Sequence, residues 1–197
     1  MAIADCRLRH MRYQRLRIMT GVNNIRLNRD LAGGALLDAG VYPVSLVRMI
    51  AGERPVRVNE VARWHSSGVD QTLVATLEHP NGLLAQIGCS FSTGIHRYAV
   101  IGGSDGVIET TFLNNPPLDR PVLLQLKRGV AWDAVYEPVE IPACNGFLAE
   151  AESLARLIRY GPEHWTGASA AESLDIAVTM DAMLASARSG QLVAVTA

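Results

Sequence analysis

Apolar residues recur at helical spacing over 35–51, through Leu36, Leu37, Val41, Val44, Leu46, Val47, Met49 and Ile50, with Gly52 as the stop. That density predicts a largely buried helix. Pro43 falls inside it and removes the hydrogen bond to the Ala39 carbonyl. The helix therefore kinks there, or a second segment restarts with Pro43 in its first turn. Further on, the period changes to two. Segments 56–64, 71–78 and 83–91 read as strands, and "HPNG" at 79–82 joins the last two as a hairpin. Pro80 presets φ for the turn, while Asn81 and Gly82 tolerate the left-handed region. A second hairpin is expected over 98–101 and 107–112 around "GGSDG", and a third over 122–126 and 134–141. Two helices close the chain. The first, 147–160, carries Phe147, Leu148, Ala151, Leu154, Leu157 and Ile158. The second opens at "SAAE", where Ser169 and Glu172 form a capping-box pattern, and runs to near Gly190.

A helix, a row of hairpins and two more helices predict an α+β fold. The expected sheet is open and mostly antiparallel, with helices packed on one face and the other face left for solvent or a partner. Residues 1–23 stand apart as an Arg-rich N-terminal segment holding Arg7, Arg9, Arg12, Arg15 and Arg17. Arginine neutralises phosphate, so a nucleic-acid arm fits the run. A solvated helix face or a poorly ordered terminus accounts for it more simply. Residues 24–197 form the main domain.

Composition narrows the function classes. A formal net charge of -1 argues against nucleic acid or a membrane surface as the partner of the whole chain. No apolar run approaches the ~20 residues of a membrane helix. Cys6, Cys89 and Cys144 are isolated, which points to a reducing cytoplasm, and neither they nor the scattered histidines have metal-ligand spacing. No metal site is expected. "GGSDG" links two strands and is not G-x-G-x-x-G, so the chain carries no dinucleotide fingerprint.

The stretch "GGALLDAGVYP", 33–43, holds the candidate chemistry. Asp38 and Tyr42, four apart, share one face of a helix behind Gly33 and Gly34. A phenol could carry a proton while the carboxylate holds a hydroxyl substrate, and the glycines could let a ligand approach the backbone. Tyrosine has an unperturbed pKa near ~10, so such work at neutral pH needs a neighbouring cation or a charged reaction partner. Spacing alone also fits a plain structural role, with Asp38 complementing the helix dipole and Tyr42 packing at a rim.

The order of segments weighs on that choice. "NIRLNRDLAGGALLDAGVYPVSLVRMIAGERPVRV", "TLVATLEHPNGLLAQIGCSF", "YAVIGGSDGVIET" and the closing helices resemble the C-terminal domain of the glucose–fructose oxidoreductase/inositol dehydrogenase (Gfo/Idh/MocA) family, over about 24–195. The family motif G-G-x-L-x-D-x-G-x-[HY] falls on Gly33, Gly34, Leu36, Asp38, Gly40 and Tyr42. By this resemblance Asp38 positions the substrate hydroxyl, Tyr42 is the acid/base group, and Gly33 and Gly34 lie at the substrate. Tyrosine in place of the commoner histidine resembles the branch with glucose–fructose oxidoreductase and dihydrodiol or xylose dehydrogenases. The resemblance implies NAD(P) as cofactor, a small sugar or polyol as substrate, and homo-oligomers through the open sheet. The family's catalytic lysine belongs to an E-K-P motif in a Rossmann domain, and neither is found here. Lys127, the one lysine, reads as a solvated hairpin residue.

Hydride transfer needs the nicotinamide and the carbinol carbon in near contact. The expected function is therefore the substrate-side domain of an NAD(P)-dependent sugar or polyol oxidoreductase, truncated or needing a Rossmann partner. NAD(P) is not expected to bind this chain alone. The alternative is a non-catalytic sugar-binding or oligomerisation module using the same sheet.

Overall fold

The structure is a computed structural model that describes residues 7–14, 24–94, 96–110 and 118–196. Nine strands form one sheet: β1 (Arg7–Gln14), β2 (Arg57–Trp64), β3 (Asp70–Glu78), β4 (Leu84–Ser90), β5 (Ala99–Gly103), β6 (Gly106–Thr110), β7 (Val122–Arg128), β8 (Tyr136–Ile141) and β9 (Val193–Ala194). Their order is β8-β7-β6-β5-β1-β4-β3-β2-β9. The three expected hairpins are present, and the pairings are antiparallel except β1 with β4, which is parallel. The α+β fold with an open, mostly antiparallel sheet is thus observed.

Part of the Arg-rich run departs from expectation. Arg7–Gln14 is neither a helix face nor a loose terminus but a strand inserted between β4 and β5. Leu8, Met11 and Tyr13 pair with buried Ala85, Ile87 and Cys89, with a register shift between Leu8 and Met11. The bulge adds a residue, so two apolar positions fall three apart and imitate helical spacing. The remainder of 1–23 and the predicted strand end at 111–112 lie outside the described residues.

Two of the three helices cover the sheet. α1 (Val41–Ala51) buries Pro43, Val44, Val47 and Ala51, and α3 (Ala170–Ser189) buries Ala182 and Met183. Both join a core of Val58, Leu73, Leu77, Ala85 and Ile87 from the strands beneath. Arg48 and Asp175 bridge α1 to α3 at 2.8 Å. By composition Arg29–Ala51 is apolar enough for a membrane span, but half of its apolar window is buried in this fold, as for a core helix. α2 (Gly146–Tyr160) behaves differently: its one buried residue is Ser153, which binds Thr166 in the following loop. Phe147, Leu148, Leu154 and Ile158 stay exposed, so α2 does not pack on the sheet among the described residues.

Candidate active site

Pro43 shapes the element that carries the candidate pair. Its ring has no N–H and crowds the carbonyl four residues back. The chain meets this by widening Leu36–Gly40 into a π-helical turn that leads directly into α1. Of the two alternatives, the restart is the one seen: α1 begins at Val41 with Pro43 in its first turn, and the π turn runs into it without a break. Asp38 lies in the π turn and Tyr42 in the first turn of α1. Both are exposed at 36–39 %, while Leu36, Ala39, Gly40 and Pro43 between and beside them are buried.

The other motif positions build this placement. Gly40 lets the helix settle on β4, because a Cβ there would stand 2.7 Å from Leu36 Cδ1 and 3.2 Å from Cys89 Sγ. The Cys89 thiol donates to the Ala35 carbonyl at 3.3 Å, and burial pushes its pKa well up, so it is an inert packing group. A Cβ on Gly33 would meet the carbonyl oxygens of Arg26 and Asn28 at 2.6 and 2.7 Å. A Cβ on Gly34 would overlap Asp70 Oδ1. The space beside both glycines is therefore filled by the chain's own atoms.

Arg26 completes the site and was not legible in the sequence. It lies in the short 3-10 turn Ile25–Leu27, whose chain returns through Gly34 N–H to Arg26 O at 2.9 Å. Its Nε donates to Asp38 Oδ2 at 2.9 Å and stands 2.9 Å from Oδ1 in an ion pair. Asp38 thus presents an oriented acceptor. No spacing rule links residues twelve apart across two turns, so only a fold could reveal the pair. Asp70 was missed for the same reason. Its carboxylate accepts from Leu36 N–H at 2.7 Å and caps the π turn from the sheet.

The turn touches β1, β3 and β4, and it sits at the carboxyl ends of the parallel pair β1 and β4. Lys127 is remote, with three strands between β7 and β4, and its Nζ donates to Trp132 O at 3.3 Å. The described residues do not fit a dinucleotide. The glycine-rich turn at Gly103–Gly106 joins antiparallel β5 and β6, and no strand–glycine turn–helix unit offers amides to a pyrophosphate.

Residues 2–109 match the profile of the GFO/IDH/MocA C-terminal domain. That span begins inside the Arg-rich stretch, so the likeness is not confined to residue 24 onwards. A D-xylose 1-dehydrogenase (NADP(+)) of Haloferax volcanii is 29% identical over 179 residues, 90% of this chain and 53% of the relative. A trans-1,2-dihydrobenzene-1,2-diol dehydrogenase of Mus musculus is 37% identical over 79 residues, 40% of this chain and 24% of the relative. Among solved structures, a 3-ketoreductase of Actinomadura kijaniata in complex with NADP and TDP-benzene superposes with a TM-score of 0.77 at 24% identity, over 93% of this chain and 54% of that one. An aldose–aldose oxidoreductase of Caulobacter crescentus complexed with glycerol gives a TM-score of 0.76 at 24% identity, over 96% of this chain and 55% of that one. These structures share the fold. The chain spans about half the length of the xylose dehydrogenase and of both solved proteins.

Proposed function

The chain belongs to the Gfo/Idh/MocA family through its C-terminal domain, and on that premise we propose that it forms the substrate side of an NAD(P)-dependent sugar or polyol oxidoreductase. The observation that carries this is the split within the motif. Its glycines and Leu36 are packed inward, whereas Asp38 and Tyr42 are left at the surface with Asp38 oriented by Arg26. Helix-dipole and rim-packing roles would also leave the two outward, but they do not call for the Arg26 contact that aims the carboxylate.

In this reading Asp38 accepts a hydrogen bond from the substrate hydroxyl, and Arg26 keeps the carboxylate aimed. Tyr42 takes the hydroxyl proton on oxidation, or gives it to the carbonyl oxygen on reduction. Bound nicotinamide supplies the hydride chemistry, and a Rossmann domain, in the same or a separate polypeptide, has to hold it. Gly33 and Gly34 shape the wall behind the pair.

The test joins the chain to an NAD(P)-binding domain of the family and follows nicotinamide absorbance with aldoses and polyols, D-xylose included. Tyr42→Phe is expected to lower kcat by about 10²–10⁴-fold and Asp38→Asn to raise KM as well. Turnover indifferent to both substitutions would remove the assignment in favour of a non-catalytic module. The chain alone is expected to leave NAD(H) and NADP(H) fluorescence unchanged up to millimolar cofactor, and saturable binding would show that it carries a cofactor site of its own.

A further inference from the structure

Asp70 opens β3 and is 2 % exposed, an unusual place for a carboxylate. It reaches out of the sheet to the helix that begins 34 residues earlier, accepting from Leu36 N–H at 2.7 Å. The Ala35 N–H, its own N–H and the Arg188 guanidinium also favour its charge, while burial, the larger influence, opposes it. Its approach dictates Gly34, whose φ of +128° and missing Cβ leave room for Oδ1. The same glycine pair anchors the opposite partner, since Gly33 N–H and Gly34 N–H donate to Asn28 O and Arg26 O at 2.9 Å. Both members of the Arg26–Asp38 ion pair are therefore tethered to one short segment, and that segment is held by Asp70.

Resting on the reading of Asp38 and Tyr42 as the substrate-hydroxyl pair, we propose that Asp70 is the positioning residue of the site, its carboxylate pinning the turn from which Arg26, Asp38 and Tyr42 are set. A general contribution to stability would act on the whole domain. Positioning acts on residues 35–42 and on the ion pair, because Leu36 is two residues from Asp38 and the contact replaces a backbone partner the first turn lacks.

Amide exchange and the Arg26 Nε–H resonance of the purified chain at neutral pH distinguish the two. Asp70→Asn keeps the shape but turns one acceptor oxygen into a donor. It is expected to speed exchange at 35–42 by ~10-fold or more relative to the sheet, and to move the Arg26 Nε–H signal. Leu73→Ala, a core change on the same strand, is expected to raise exchange in sheet and helix together and leave the Arg26 signal in place. Gly34→Ala presses on the same contact from the other side and should reproduce the Asp70→Asn pattern, so a variant that fails to fold does not end the test. Exchange at 35–42 that only keeps pace with the sheet in both variants, or an unmoved Arg26 signal, overturns the proposal. With the cofactor domain supplied, Asp70→Asn is expected to lower kcat by ~10-fold and to raise KM, because Asp38 shifts with the turn. If Tyr42→Phe leaves turnover intact, the functional reading fails while the exchange data still decide what Asp70 does.

Discussion

Glu60 is the residue that most resists a packing explanation. It is 2 % exposed in β2, and neither carboxylate oxygen has a hydrogen-bond partner among the described residues. Its backbone is well anchored: Glu60 N–H donates to Ser186 Oγ at 2.9 Å, and that hydroxyl donates to Gln191 O at 2.6 Å. Burial, and then the charge of Asp70, push its pKa to about 8 from an ordinary 4.5. The folded protein therefore holds a proton that the unfolded chain releases above about 4.5. Its contribution is whole below that value, shrinks as pH rises toward 8, and is gone above it. Glu60→Gln is expected to gain on the wild type steadily between about pH 5 and 9, by a few kcal/mol in all. Parallel urea midpoints for the two proteins across that range would contradict it. The Arg26–Asp38 pair is the opposite case. Its side chains are 34% and 36% exposed, so it adds at most about 1 kcal/mol and matters for orientation.

Among the elements, the helix start at 35–51 shows how local rules combine. Pro43, the π turn and Gly40 are one solution: the turn widens ahead of the proline, and the glycine brings the widened turn against β4. Gly40→Ala is expected to lower stability by about 1–3 kcal/mol, because Leu36 and Cys89 are both buried and cannot yield freely. A thermal midpoint equal to wild type would show that the turn absorbs the methyl. The capping box at α3 was legible from four residues and is present: Ser169 Oγ accepts from Glu172 N–H at 3.2 Å, and the Glu172 carboxylate accepts from Ser169 N–H at 2.8 Å. So was the turn at 79–82, where Asn81 accepts from Leu83 N–H at 3.0 Å and Gly82 takes φ of 85°. The apolar stripe of α2 was legible too, but a stripe does not say what it meets. Here Phe147 and Ile158 remain 69% and 76% exposed.

For the whole molecule, one sheet face is left uncovered by the described helices. On it Val61 pairs with Val74, exposed at 66% and 58%, and Leu84 is exposed on β4. β8 is exposed along its full length. We propose that this face takes a second copy of the chain, which would bury the exposed apolar side chains of Val61, Val74 and Leu84 on each copy. Val61→Lys combined with Val74→Lys is expected to shift sedimentation velocity from dimer to monomer without altering far-UV circular dichroism. A wild-type chain that sediments as a monomer at high concentration would remove this proposal.

The sequence by itself determined what neighbouring residues encode: three hairpins, the helical segments, the capping box, and the motif that carries Asp38 and Tyr42. Periods of 2 and 3.6 and turn chemistry are written within a few residues, so they survive without a fold. Tertiary structure decided the rest. It placed Arg7–Gln14 between β4 and β5, because a bulge had broken the alternation that marks a strand. It brought Arg26 to Asp38 and Asp70 to Leu36, contacts whose sequence separations of 12 and 34 follow no period. It also showed that the motif glycines make room for Asp70 and for the carbonyls of Arg26 and Asn28. Such contacts arise where chain segments cross, and crossing is a property of the packed core.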